Sequence, residues 1–276
     1  MSVRLKEITP EASEMREIVL EYPSDVLQRL VRVHLLFPAD SHRFVQPMPV
    51  LWLNDGQDME ALQLSSTLEN LMISRKIKPV FTVAIEAGDR IQEYGTIDVP
   101  DYKNRGAKAR AYADFLTTEL IPHIRRNYPV SAAAADNVFA GFSLGGVSAF
   151  DFVWNYPQYF QKAGVFSGAF WWRKKALNQG YTDNDRIVHQ RIRMGRFKPG
   201  LKFWLQTGTL DETADRNKNG VIDSIDDTLD LITELIIKGY KLSEDITYVE
   251  VEGGKHNPGC WAKILPEFLQ WAFKNN

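Results

Sequence analysis

A serine between two glycines, in Gly141-Phe142-Ser143-Leu144-Gly145, is the stretch of this chain best suited to chemistry. It follows Asn137-Val138-Phe139, an apolar run that reads as a buried strand, and precedes Val147, Phe150, Val153 and Trp154, spaced as one face of a helix. Strand, sharp turn and helix are the setting of a G-x-S-x-G nucleophile elbow. The glycines let backbone approach backbone in a tight turn, which leaves the Ser143 hydroxyl at the tip. The helix that starts there aims free N–H groups and the positive end of its dipole at any charge developing beside the serine. A serine so placed is equipped to attack a carbonyl.

A serine hydroxyl is a weak nucleophile at neutral pH and needs a base, itself oriented by an acid. In the elbow architecture these partners follow in the order serine, acid, histidine. Two histidines come after Ser143, and they differ in setting. His189 lies in a basic, helix-like segment and reads as a surface residue. His256, in Glu252-Gly253-Gly254-Lys255-His256-Asn257, comes directly after the last expected strand and would hang over the carboxyl edge of a sheet, so it is the expected base. His34, His42 and His123 precede the elbow and read as structural. For the acid, Asp211 is the first carboxylate after the strand Leu201 to Leu205, with Glu212 and Asp215 as rivals. The oxyanion would be met by the backbone N–H of Leu144 and by one from the turn after the Pro49 to Leu53 strand, that of Gln57.

Two further stretches carry chemistry of their own. Asp215-Arg216-Asn217-Lys218-Asn219-Gly220-Val221-Ile222-Asp223-Ser224-Ile225-Asp226 fits the D-x-[DN]-x-[DN]-G pattern of a calcium loop, with Asp215, Asn217, Asn219, the Val221 carbonyl, Asp223 and Asp226 as the ligand set. Asp226 stands where EF-hands carry Glu. A solvated Asx-rich turn is the competing reading, and an ion there would be structural, stiffening the loop behind Asp211. Residues 168–200 read as a cap-like insertion, in which Trp171 and Trp172 either wall the pocket or pack internally. Its basic residues (Arg173, Lys174, Lys175, Arg186, Arg191, Arg193, Arg196 and Lys198) either rim the pocket for an anionic ester or form a solvated helix face. Arg90, in the loop after the Val80 to Ile85 strand, is counted with the pocket.

These residues must be held by a scaffold, and the rest of the chain supplies its outline. Glu17 to Leu20 and Leu30 to Phe37 alternate as antiparallel edge strands. Pro49 to Leu53, Val80 to Ile85, the elbow strand, Ala163 to Ser167, Leu201 to Leu205 and Ile246 to Glu250 read as further, buried strands. Helices are expected at Met59 to Ser74, from Ala107 to Pro122, which should kink it or start a new turn, at Leu229 to Lys238 and at Trp261 to Phe273. The alternation implies an α/β domain with a mostly parallel sheet and helices on both faces, its ligand site at the carboxyl ends of the strands. With 276 residues, 44% of them hydrophobic and 25% charged, one domain spanning 1–276 is expected. A net charge of −2 gives no field that favours nucleic acid or an acidic membrane surface. The single cysteine, Cys260, excludes an internal disulfide and a cysteine-based zinc site. Met1 to Glu7 carries no apolar signal core and no later run is long enough to span a bilayer, so the chain as given reads as cytoplasmic, a trimmed signal peptide aside.

Several phrases, taken in order, resemble one family. They are Phe115-Leu116 through Glu119-Leu120-Ile121-Pro122, the elbow Ala140 to Gly146, Asn155-Tyr156-Pro157 with Phe160, Ser167-Gly168-Ala169-Phe170-Trp171-Trp172, and Gly253-Gly254-Lys255-His256-Asn257 with Trp261. Together they are similar to the esterase branch of the α/β-hydrolases that includes esterase D, feruloyl, tributyrin and enterochelin esterases. The resemblance covers nearly the whole chain and implies the α/β-hydrolase fold, with Ser143 as nucleophile, His256 as base and Asp211 as acid. The turn Asn54-Asp55-Gly56-Gln57 is similar to the oxyanion turn of enterochelin-esterase-like members and departs from the His-Gly form of feruloyl esterases. The expectation is a serine hydrolase that cleaves small carboxylic esters through an acyl-enzyme, without a catalytic cofactor and with a structural Ca²⁺ in the 215–226 loop. Siderophore-lactone or thioester hydrolysis and acyl transfer are alternatives on the same residues, and a non-catalytic binding module is the alternative of another class. The oligomeric state is left open, a homodimer included.

Overall fold

A computed structural model describes residues 14–41 and 44–275. The Met1 to Glu7 segment and His42 lie outside the described residues. Eight strands form one sheet: β1 (Met15–Ser24), β2 (Arg29–Pro38), β3 (Val50–Asn54), β4 (Phe81–Ile85), β5 (Asn137–Phe142), β6 (Lys162–Phe166), β7 (Lys202–Leu210) and β8 (Ile246–Lys255), in the order β1-β2-β4-β3-β5-β6-β7-β8. β1 and β2 are antiparallel to each other, and β2 is antiparallel to β4; from β4 onward every pairing is parallel. The strand order reverses between β3 and β5, so the crevice favoured for ligands in an open α/β sheet lies at the carboxyl ends of these strands.

Successive residues of a strand face opposite sides of the sheet, and here both sides are apolar. Val50 and Trp52 of β3 join Phe81, Val83 and Phe139 in one core, while Leu51 and Leu53 join Val138, Ala140 and Phe142 in the other. The helices α1 (Leu64–Ile73) and α8 (Pro258–Phe273) cover the second face. The first is covered by α3 (Ala109–Asp114), α4 (Ile121–Asn127), α5 (Leu144–Asn155), α6 (Ile187–Met194) and α7 (Asp223–Lys238). No helix among the described residues is long and apolar enough to cross a membrane.

The structure adjusts several sequence boundaries. The first helix starts at Leu64, because Gln63 is left-handed with φ 51°. Arg90–Glu93 forms a one-turn helix, α2, where a loop was expected. Pro122 starts a new turn, as one of its two expected outcomes has it: it sits in the first turn of α4, preceded by a π-wound segment Phe115–Leu120 that carries the chain over from α3. A proline brings no N–H to the ladder, and the wider winding before it accommodates that loss. β7 and β8 run on to Leu210 and Lys255, well past their expected ends, because they pair with each other through a bulge at Gly208 and Leu210. The α7 helix begins at Asp223, inside the calcium-loop motif and earlier than Leu229.

Candidate active site

Sheet register sets the first level of the site. Phe142 pairs with Phe166, so Ser143 and Ser167 leave the sheet side by side. Leu210 pairs with Lys255, so Asp211 and His256 do the same two strands away. A parallel register thus converts four positions far apart in sequence into two adjacent pairs on one edge.

Ser143 sits at φ 53°, ψ −120°, a conformation that non-glycine residues rarely adopt. Close packing enforces it. A Cβ on Gly141 would run into the carbonyl of Gly145, and one on Gly145 would lie 2.5 Å from Asp55 Oδ2. The Ser143 N–H donates to the Phe166 carbonyl (2.9 Å), and its own carbonyl accepts from Ala169 N–H (3.2 Å). Leu144 is the first residue of α5, so its N–H has no acceptor within the helix and is free for a ligand oxygen.

The acid is held by a different kind of contact. The Asp211 side chain is 1% exposed. Its Oδ2 accepts from Gly208 N–H (2.8 Å), and its Oδ1 accepts from the Ser167 hydroxyl (3.0 Å). Ser167 is itself left-handed, with φ 46°, and accepts from the indole N–H of Trp261 (2.9 Å). His256 stands edge-on to the Trp261 ring at 5.2 Å, and Asn257 caps the helix that follows, accepting from Cys260 N–H (3.0 Å). The imidazole Nδ1 is 4.0 Å from Asp211 Oδ1, beyond hydrogen-bonding distance, and the His256 side chain is 38% exposed. Burial and the nearby Arg90 charge push the His256 pKa below its ordinary value, while Asp211 pulls the other way. Ser143, Asp211 and His256 line one cavity of about 280 Å³ together with Ser167, Trp171 and Glu212.

The other expected residues divide. Trp171 lines this cavity, but Trp172 is fully buried, donating its indole N–H to Thr96 Oγ1 (3.1 Å), and belongs to the core. Arg90 grips Asp55 with two hydrogen bonds (2.7 and 2.8 Å) and reaches the Phe142 carbonyl (3.2 Å), bracing the elbow from below. Gln57 lines a separate cavity with His34 and Glu86, and its side chain bonds Asp55 (3.0 Å). Among the described residues no lysine or arginine lines the Ser143 cavity, but the Arg105 and Arg173 guanidiniums lie 5.0 and 5.8 Å from the ring of Trp171, which does. Arg186 pairs with Asp227 and Asp230 (both 2.6 Å), Arg191 with Asp151 (2.5 Å), and Lys175 with Asp185 (3.3 Å). Lys175, Arg186, Arg191 and Arg193 thus have acidic neighbours, which a reading by residue type alone passes over, whereas Arg173 lies over the Tyr102, Trp171 and Tyr181 rings. His189 is not on the surface: it is buried, donates from Nε2 to the Asp227 carbonyl (2.8 Å), and burial pushes its pKa down to about 3. Ser167 and Trp261 had no assigned role, although Ser167 ends a strand at the edge that carries Ser143.

In the 215–226 loop, the amides of Asn217 and Asn219 both face Asp226 (2.7 and 2.8 Å). Asp215 accepts from the N–H groups of Asn219 and Gly220. Asp223 is drawn aside by Arg216, accepting from its N–H (2.9 Å) and lying 3.4 Å from its guanidinium. Among the described residues no group of three or more His, Cys, Asp or Glu side chains is arranged to hold a metal.

A family model described as Putative esterase matches residues 24–271. The chain is 23% identical over 235 residues to the Bacillus subtilis (strain 168) protein named Uncharacterized protein YbbA, covering 83% of this chain and 86% of that one. It is 23% identical over 265 residues to the Iron(III) enterobactin esterase of Escherichia coli (strain K12), covering 94% of this chain and 58% of that enzyme. The crystal structure of the enterobactin esterase from Shigella flexneri in the presence of enterobactin matches with a TM-score of 0.72 at 23% identity, over 96% of this chain and 60% of that one. The chain therefore spans well under two thirds of the length of the enterobactin esterases it resembles.

Proposed function

The chain belongs to the Putative esterase family and has the α/β-hydrolase fold, and from that premise we propose that it hydrolyses carboxylic esters of small molecules through an acyl-enzyme. Ser143 Oγ attacks the ester carbonyl as His256 takes its proton. The oxyanion is met by the N–H of Leu144, and the second donor is assigned to the backbone N–H of Gln57 in the turn after β3, although Gln57 lines the separate cavity. His256 then protonates the leaving alkoxide, and the alcohol departs. A water deprotonated by His256 attacks the acyl-Ser143 carbonyl, and the acid is released with Ser143 restored. Asp211 orients the imidazole and stabilises the imidazolium, which requires the 4.0 Å gap to shorten by a small movement of the half-exposed His256 ring.

The observation that supports this reading above others is the left-handed Ser143 on the wall of a cavity that Asp211 and His256 also line. A fluorophosphonate probe should label the protein at Ser143, with labelling lost in Ser143→Ala, and p-nitrophenyl esters of increasing acyl length should be turned over. Absence of label on the wild type would end the reading in favour of a non-catalytic module. The likeness to iron(III) enterobactin esterases favours siderophore lactone as a second reading, checked by product analysis with that substrate.

The 215–226 loop is proposed to take a structural Ca²⁺ held by Asp215, Asn217, Asn219, the Val221 carbonyl and Asp226. Supporting this are the Asn217 and Asn219 side chains gathered on Asp226, whose amide groups would turn their oxygens to an ion. Asp223 would join on leaving Arg216. The ion would take no part in ester cleavage.

A further inference from the structure

Glu212 follows the acid Asp211 directly and lines the same cavity as Ser143, yet it has no task in the proposed chemistry. It is partly buried, next to the start of α7 at Ser224. No lysine or arginine pairs with it among the described residues. Its carboxylate neighbours are treated differently: Asp227 is held by Arg186 (2.6 Å) and Arg216 (3.0 Å), and Asp223 lies 3.4 Å from Arg216. Ser224 also lines the cavity. It is 7% exposed, and its hydroxyl has no hydrogen-bond partner. A buried hydroxyl without a partner costs stability unless something else satisfies it. A partly desolvated carboxylate without a cation is in the same position.

We propose that Glu212 and Ser224 form a recognition subsite for a protonated amine, so that the preferred ester carries an ammonium group close to its scissile carbonyl. The proposal rests on the ester-hydrolase reading of the same cavity and names its substrate class. An ammonium N–H would donate to the Glu212 carboxylate and share the same hydrogen with Ser224 Oγ, so that even a tertiary ammonium, with one N–H, meets both groups; such charge-assisted bonds are roughly twice as strong as neutral ones. Among the described residues no lysine or arginine lines this cavity.

The test compares isosteric esters. On the alcohol side the pair is 2-(dimethylamino)ethyl acetate and 3-methylbutyl acetate; on the acyl side it is ethyl 4-(dimethylamino)butanoate and ethyl 5-methylhexanoate. Hydrolysis is followed by pH-stat at pH 7, in low and high salt, for the wild type, Glu212→Gln and Ser224→Ala. In at least one pair kcat/KM should favour the amine by roughly tenfold in low salt, with less preference in high salt. Glu212→Gln should bring that ratio to near one, and Ser224→Ala should lower it by a few fold. Wild-type hydrolysis of the neutral esters without an amine preference overturns the subsite and leaves ester hydrolysis standing, and so does a preference that survives Glu212→Gln. Equal loss on both members of a pair, with a displaced pH profile, makes Glu212 the acid that serves His256 and likewise overturns the subsite. Failure of every ester, together with no fluorophosphonate label on Ser143, overturns both readings.

Discussion

The nucleophile and its relay are built on opposite principles, although they share one sheet edge. Ser143 is fixed by backbone: its left-handed φ, the close approach of Gly141 to Gly145, and hydrogen bonds to Phe166 and Ala169 leave it one position. Asp211 and His256 are fixed by side chains. The Asp211 side chain is buried and doubly bonded, while its partner imidazole is 38% exposed and 4.0 Å away. Rigidity is thus concentrated in the nucleophile and the acid, and the adjustable member is the base, which must meet the serine, the leaving group and water in turn. A base held as tightly as the serine could not follow those changes of partner.

The largest effects should come from the backbone-fixed half. Ser143→Ala should lower kcat by about 10⁶-fold, judged by the cost of removing a triad serine, with unchanged Tm. Gly145→Ala separates positioning from chemistry. Its Cβ would lie 2.5 Å from Asp55 Oδ2 and 3.3 Å from Asn54 Cβ, so it should cost about 1–3 kcal/mol of stability as overpacking does. It should also lower activity, because the Asp55–Arg90 brace must shift. Thermal melts and esterase assays on the two variants check the contrast; a Gly145→Ala protein with wild-type Tm and activity would show that the elbow is less constrained than its packing implies.

Asp211→Asn comes next, at about 10⁴-fold in kcat by comparison with the same change in a serine protease triad. It also sharpens the comparison through pH. The base must be neutral to act, so kcat/KM should rise with pH to a plateau, with its midpoint below the ordinary histidine value of 6.5, because burial and Arg90 lower the imidazole pKa. Asp211 is the influence that raises it, so Asp211→Asn should move the midpoint further toward acid. A midpoint that moves the other way, or not at all, would mean that the 4.0 Å gap does not close and that another group supports the imidazole.

The same division explains what was legible in the sequence. Ser143 was, since an elbow needs glycines at fixed offsets and a strand and helix on either side, all written locally. Asp211 and His256 could be reached through strand ends, although β7 and β8 run further than the residue pattern indicates, because their extension depends on mutual pairing across a bulge. The Trp171 and Trp172 dipeptide could not be divided from sequence: neighbouring residues point to opposite sides, and only the fold decides which side is core. The two readings of the basic insertion could not be separated for a related reason. Its Arg186 and Arg191 are neutralised by Asp227, Asp230 and Asp151, acids up to 44 residues away in sequence. The burial of His189 has the same origin, since α6 is covered by α7. Ser167 shows the limit most clearly, because a serine at a strand end acquires meaning only once register puts it between Asp211 and Trp261.

A smaller effect should follow from Ser167→Ala, which removes the hydroxyl that donates to Asp211 Oδ1 and accepts from Trp261. The loss of a hydrogen bond to a charged group is worth about 1.5–3 kcal/mol, so kcat should fall by roughly 10–100-fold. Ser167 acts through Asp211, so the pH profile should shift along with kcat, and Ser167→Thr should restore part of both where Ala does not. Loss of kcat with an unmoved pH midpoint would place Ser167 in contact with substrate instead.

The smallest effect concerns the loop that follows the acid. Asp215 lies four residues beyond Asp211, and Asp223 opens α7, so an ion between them would tie the acid's loop to a helix packed on the sheet. In the ion's place the loop now has Asn217 and Asn219 on Asp226, and Arg216 on Asp223. Those bonds must be exchanged for ligation, which reduces the net gain. The expectation is a Tm rise of roughly 2–4 °C for each kcal/mol of net binding energy, present with Ca²⁺, absent with Mg²⁺, and reversed by EDTA. Asp226→Ala should abolish the Ca²⁺ response, since that carboxylate is the point on which both asparagines converge. Activity should change by less than a few fold, because Asp211 keeps its bonds from Gly208 and Ser167 with or without the ion. A melting temperature indifferent to Ca²⁺ and EDTA would leave the loop closed by its own hydrogen bonds. The acid would then depend on side-chain contacts alone, and the contrast with the backbone-fixed serine would be complete.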